Sequence, residues 1–240
     1  MITSTLAPAS LPEGLRVYAI GDVHGCADRL RALHREIAAD LAARPVAEAE
    51  VVHIGDYIDR GPDSAGVIET LLQPFPAAGG RPGPRVVTLM GNHEDMMLTS
   101  LTDPEAAPHW LSNGGDIALE SWGVPLRARA RDWAAALPPR HLAFLRGLPL
   151  LHAAGGYLFV HAGLRPNTPL GRQSRLDMLW IREPFLSSDG ALPAVVVHGH
   201  TPAGEPVIRH NRIGIDTGAF RDGPLTCAVL EADRLGFLYG

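Results

Sequence analysis

Residues 16–25 read RVYAIGDVHG, an apolar run that ends abruptly in Gly21, Asp22, Val23, His24 and Gly25. Such a run, bounded by glycine, reads as a buried strand at 16–20. The Ala-, Leu- and Arg-rich stretch at 28–43 has the spacing of an amphipathic helix. The unit then recurs. Residues 51–54 lead through a polar, glycine-containing loop into a helical pattern at 63–72, and residues 85–89 lead through another into a helix from about Glu94. Strands and helices in strict alternation predict an α/β fold.

The remainder of the chain has a different texture. Residues 74–84 (PFPAAGGRPGP) form a turn-rich connection, because proline and glycine deny the backbone both helix and ladder hydrogen bonds. Residues 103–148 carry Trp110, Trp122 and Trp133 among Ala and Leu at helical spacing, the pattern of a helical insertion able to shape substrate choice. Short strand candidates follow at 157–160, 194–197, 206–209, 212–215, 225–230 and 236–238, and they predict a second sheet packed on the first.

At 240 residues, with 46% apolar and 20% charged side chains, the composition is that of one globular domain, expected over 16–240 behind a flexible leader at 1–15. The net charge of −5 offers no general attraction to nucleic acid or to anionic lipid. Cys26 and Cys227 are too few for a disulfide framework. The first residues lack the basic start and apolar core of a signal peptide, so a cytoplasmic location is expected.

The chemistry lies at the strand ends. Gly21 to Gly25, then Gly55-Asp56-Tyr57-Ile58-Asp59-Arg60-Gly61, then Gly91-Asn92-His93-Glu94 each follow an apolar run. In an α/β sheet such ends lie side by side and converge on one crevice. His161 and the pair His198 and His200 also stand where apolar runs stop. Mixed carboxylate, imidazole and amide donors suit manganese, iron or zinc better than magnesium alone. Asp22, His24, Asp56, Asn92, His161 and His200 exceed the needs of one tetrahedral site, whereas two ions sharing a carboxylate would use them all.

These clusters, in this order, resemble those of the calcineurin-like metallophosphoesterases, in particular the phosphoprotein phosphatase branch with its bacterial and phage-type members and the symmetrical diadenosine tetraphosphate hydrolases. The resemblance runs from about residue 16 to 230 and implies a four-layer αββα sandwich. It also implies that Asp22 and His24 bind a first metal, that Asp56 bridges, and that Asn92, His161 and His200 complete the second. Many broader members carry a further histidine ligand where this chain has Pro202, which favours the phosphoprotein phosphatase branch and leaves His198 beside the ligands rather than among them.

The same resemblance implies two divalent ions, manganese first and iron or zinc also suited, and a hydroxide bridging them that attacks phosphorus. Arg60 and Arg182 would grip phosphate oxygens, a task suited to the planar guanidinium. His93 would donate a proton to the leaving alkoxide, with Asp59 holding its far nitrogen. The expected activity is hydrolysis of phosphate monoesters, phosphoserine and phosphothreonine in proteins foremost. The alternatives are a dinucleotide polyphosphate hydrolase and a non-catalytic phosphate-binding scaffold. The remaining histidines are expected to be ordinary, and the tryptophans to pack in the core, with Trp110 or Trp122 as possible base-stacking platforms.

Overall fold

The computed structural model describes residues 3–76, 83–125 and 127–240. Strand β2 (Leu15–Ile20) sets the layering by its alternation. Val17 and Ala19 enter a core shared by two sheets, while Tyr18 and Ile20 face Leu30, Leu33 and Ile37 of helix α1 (Ala27–Ala43), as the two-residue period of a strand requires. Those three α1 side chains are fully buried, each stabilising the fold by about 1.5–3 kcal/mol on transfer from water.

The first sheet runs β1 (Ser4–Leu6), β11 (Arg234–Tyr239), β10 (Thr226–Glu231), β2, β3 (Glu48–His53), β4 (Arg85–Thr88). The second runs β5 (Leu151–Ala154), β6 (Tyr157–Val160), β7 (Val195–His198), β9 (Arg212–Gly214), β8 (Val207–Ile208). Tyr157, Phe159, Val195, Val197, Ile213 and Ile215 meet Val52, Ile54, Ala228 and Leu230 between them. Helices α1, α2 (Ser64–Leu72) and α3 (Asn92–Thr102) cover the outer face of the first sheet. The outer face of the second is covered more thinly, by α8 (Arg175–Trp180) and the following segment around Phe185. The four-layer α/β sandwich is therefore present.

The structure corrects several details. The strands at 225–230 and 236–238 were expected in the second sheet, yet both return to the first, where β10 runs antiparallel to β2 on one side and to β11 on the other. An apolar strand pattern specifies burial on two faces but not which sheet supplies them. Within the expected leader, Ser4–Leu6 pairs with β11 and satisfies backbone groups on what would otherwise be an open edge. Strand β5 was not anticipated, and it forms a hairpin with β6. The insertion is helical, with α4 (Ala107–Trp110), α5 (Asp116–Ser121), α6 (Ala130–Ala136) and α7 (Pro139–Arg146). Residues 77–82 of the expected turn-rich connection lie outside the described residues. Among the described residues no helix is long and apolar enough to cross a membrane.

Candidate functional site

Parallel registry brings the predicted clusters together. Ile20 pairs with His53 and His53 with Thr88 in the first sheet, and Phe159 pairs with Val197 and Val197 with Ile213 in the second. The loops leaving these strands therefore start at the same level and meet at one end of the sandwich. The backbone there is strained. His24, Asp56, Asp59, Arg60 and His200 all have positive φ, between 44° and 71°, a conformation costing a non-glycine residue about 1 kcal/mol or more. Close approach accompanies the strain: a Cβ on Gly199 would lie 1.9 Å from Asp22 Oδ1, so only glycine lets the His200 loop reach Asp22.

Asp56 occupies the centre. Its Oδ2 lies 3.5 Å from His24 Nε2 and its Oδ1 lies 3.4 Å from His161 Nε2. On the second side, Asn92 Oδ1 is 2.8 Å from His161 Nε2 and 2.9 Å from His200 Nδ1. His161 Nδ1 faces the Ile54 carbonyl at 3.0 Å, so a neutral ring carries its proton there and presents a lone pair at Nε2. Two acceptors consequently face each other, an arrangement that a shared cation would reconcile. His24 repeats the pattern, with Nδ1 on the Ile58 carbonyl at 2.9 Å and Nε2 turned inward. Asp22 accepts from the His200 N–H at 3.0 Å through Oδ2, while its buried Oδ1 has no partner.

Electrostatics give the same picture. Burial pushes the carboxyls of Asp22 and Asp56 above their ordinary range, Asp56 to about 7, with repulsion from Asp216 adding to both. Burial likewise pushes His24 and His200 far down and His161 to about 3, so the rings are neutral lone-pair donors. Buried carboxylates among neutral imidazoles form a donor set that fits borderline divalent cations. Two groups with metal-ligating reach are present among the described residues: His24, Asp56 and His93, and Asp56, His161 and His200. The fit to two ions sharing Asp56 is good.

His93 Nδ1 hydrogen-bonds Asp59 Oδ2 at 2.6 Å, and its Nε2 faces the centre 3.9 Å from Asp56 Oδ2. Arg60 donates from NH1 to His24 Nε2 at 2.8 Å, and its guanidinium lies 4.8 Å from the Phe220 ring centroid. Arg182 is exposed and near enough for its charge to depress His161 and His200. All the predicted site residues therefore surround one crevice. His198 stands apart, with Nδ1 on the Gly199 carbonyl at 3.1 Å and Nε2 3.5 Å from an Arg212 nitrogen.

Two participants were missed. Glu94, fully buried, accepts N–H bonds from Asp56, Tyr57, Gly91 and Ile58 at 2.8–3.3 Å and so fixes the loop carrying Asp56. Its place three residues past the helix cap was the available signal. Trp110 donates from Nε1 to Asp59 Oδ2 at 2.8 Å. With no exposed surface, Trp110 cannot be a base-stacking platform. Asp216 accepts from the Gly218 N–H at 3.0 Å, and its charge reaches the centre.

The model of the calcineurin-like phosphoesterase family matches residues 15–233. Serine/threonine-protein phosphatase 1 of Salmonella typhimurium is 31% identical over 222 residues, covering 90% of this chain and 92% of that protein. A symmetrical bis(5'-nucleosyl)-tetraphosphatase of Methylococcus capsulatus is 32% identical over 152 residues, 63% of this chain and 44% of that longer protein. A crystal structure described as a candidate diadenosine tetraphosphatase superposes with a TM-score of 0.67 at 24% identity, covering 97% of this chain and 98% of that one. At that identity the likeness is one of fold.

Proposed function

The chain belongs to the calcineurin-like phosphoesterase family, and from that premise we propose that it hydrolyses phosphate monoesters, with phosphoserine and phosphothreonine in proteins as the principal substrates. The observation that carries this reading is the placement of Asp56, whose two oxygens face two separate sets of donors. Asp22, His24 and Asp56 would hold one divalent cation, and Asp56, Asn92, His161 and His200 the other, with manganese the first choice and iron or zinc compatible. Such a pair, when bound, would supply the Lewis acidity that activates water and offsets charge on the phosphoryl oxygens.

The protein's own groups do the rest. Arg60 and Arg182, whose charges both reach His161, would hold the phosphate oxygens while charge builds on them. His93, its ring fixed by Asp59, would deliver a proton from Nε2 to the departing alkoxide. The serine/threonine phosphatase relative matches along nearly its whole length, whereas the dinucleotide hydrolase relative is matched over less than half of its own. Relatives of both activities support both readings, and on the near-full-length match we put the monoesterase first and keep dinucleotide polyphosphate hydrolysis as the alternative. A non-catalytic scaffold comes last, because each proposed ligand and the proposed proton donor are present.

The deciding experiment loads metal-free protein with Mn²⁺ and compares a phosphoserine peptide, p-nitrophenyl phosphate, bis-p-nitrophenyl phosphate and diadenosine tetraphosphate. Fastest turnover of the peptide is expected. Preference for the dinucleotide would install the second reading, and no turnover on any substrate would revive the scaffold.

A further inference from the structure

The insertion touches the proposed machinery at two places. Trp110, at the end of α4, gives its Nε1–H to the same Asp59 oxygen that accepts from His93, at 2.8 and 2.6 Å respectively. Four residues on, the Gly114 carbonyl accepts from the Arg60 N–H at 3.4 Å. Asp59 and Arg60 are consecutive residues with φ of 71° and 67°, so their shared turn needs support from outside itself. Ser64 Oγ supplies part of it by accepting the Asp59 N–H at 3.0 Å.

The local sequence of the insertion fits this task. Gly114 has φ of 99°, and a Cβ there would lie 2.7 Å from Arg60 N. A Cβ on Gly115 would lie 2.5 Å from the Trp110 ring. Paired glycines thus allow the turn at 110–115 to close both on its own tryptophan and on the site. Asp59 Oδ1 is buried without a partner, so without Trp110 the carboxylate would keep one side-chain bond and could turn away from His93.

We propose that the turn at 110–115 is a positioning element for phosphoester hydrolysis, in which Trp110 orients Asp59 and through it His93, while Gly114 fixes the backbone of Arg60. The inference rests on the roles proposed above for His93 and Arg60. Fold stability alone would ask only for a ring at 110; the directed N–H bond is what assigns the second role.

Trp110→Phe keeps the ring and removes the donor. Its kcat on a phosphoserine peptide should fall about tenfold more than on p-nitrophenyl phosphate, whose phenolate leaves without a proton, while KM and bound Mn²⁺ per chain stay at wild-type values. In a His93→Gln background the same substitution should have no further effect on peptide hydrolysis. Gly114→Ala should instead lower kcat/KM about tenfold, alike for both substrates, by displacing Arg60. Equal losses of kcat on the two substrates, or an effect additive with His93→Gln, would overturn the positioning role and leave the phosphatase reading intact. If His93→Gln itself fails to distinguish the substrates, the proton-donor reading falls and takes this inference with it. Independently of any variant's folding, the Trp110 indole N–H resonance of the wild-type protein should be protected from solvent exchange; rapid exchange would refute the contact.

Discussion

Asn92 Oδ1 and His161 Nε2 face each other at 2.8 Å, each presenting a lone pair, because His161 commits its other nitrogen to the Ile54 carbonyl. No proton of a neutral ring can satisfy that contact, whereas a divalent cation can. Free Mn²⁺ at about 100 times its Kd should stabilise the protein by about 2.7 kcal/mol per site. For a chain of 240 residues that corresponds to a rise in Tm of roughly 5–10 °C per site. Asn92→Ala should lower bound manganese from two ions per chain to one and shrink the rise, with little change in the chelated protein. Calorimetry with and without chelator, alongside metal analysis, checks both. Full metal content in the variant would refute the assignment.

Glu94 shows how the loop carrying Asp56 is held in its strained shape. Its carboxylate accepts four backbone N–H groups, and Asp56 itself sits at φ of 51°. Removing the acceptor strands several buried donors, at about 1–3 kcal/mol each before relaxation. Glu94→Ala should therefore lose about 3–5 kcal/mol in urea unfolding and, in whatever protein remains folded, most of kcat. A loss below about 1 kcal/mol would show that water replaces the carboxylate without difficulty.

The strand ends bearing Asp22, Asp56, Asn92 and His161 were legible in the sequence because each apolar run of a parallel sheet stops at one level, and polar residues there have one crevice to enter. Trp110 was not legible, since a tryptophan at helical spacing packs in a core whether or not its N–H has a partner. Its bond to Asp59 spans 51 residues of sequence, and no local pattern encodes such a distance. Glu94 was visible as a helix-start residue, but its bonds to Asp56 and Tyr57 again required the fold. The return of β10 to the first sheet was hidden for the related reason that strand periodicity fixes faces and not neighbours.

Away from the site, His34 and His53 form a buried pair with their Nε2 atoms 2.9 Å apart. Burial pushes His34 down to about 4 from an ordinary value of 6.5 and holds His53 far below it as well. The unfolded chain therefore takes up protons from about pH 6.5 downward that the folded chain refuses. Stability should be fully present above pH 6.5 and should fall as the pH drops toward 4, by about 3 kcal/mol from His34 alone. His34→Gln should flatten that slope by about one proton, measured by urea midpoints at pH 7.5, 6.5, 5.5 and 4.5. An unchanged slope would mean that the His34 ring is protonated in the folded state.

Arg60 and Arg182 differ in how they are held, and their variants should differ accordingly. With His24 Nε2 given to the metal, Arg60 is still held by stacking on Phe220 and by its backbone bond to Gly114. Arg182 is exposed and makes no ion pair among the described residues. A preordered guanidinium contributes more in the transition state than a mobile one, because less freedom is lost on contact. Arg60→Lys keeps the charge but loses the planar fork, and should lower kcat/KM about a hundredfold, mainly through kcat. Arg182→Ala should act mainly on KM, by about tenfold, and should weaken inhibition by inorganic phosphate in proportion, since ground-state product makes the same contact. A phosphate inhibition constant unchanged by Arg182→Ala would remove that residue from the phosphate site and leave the grip to Arg60.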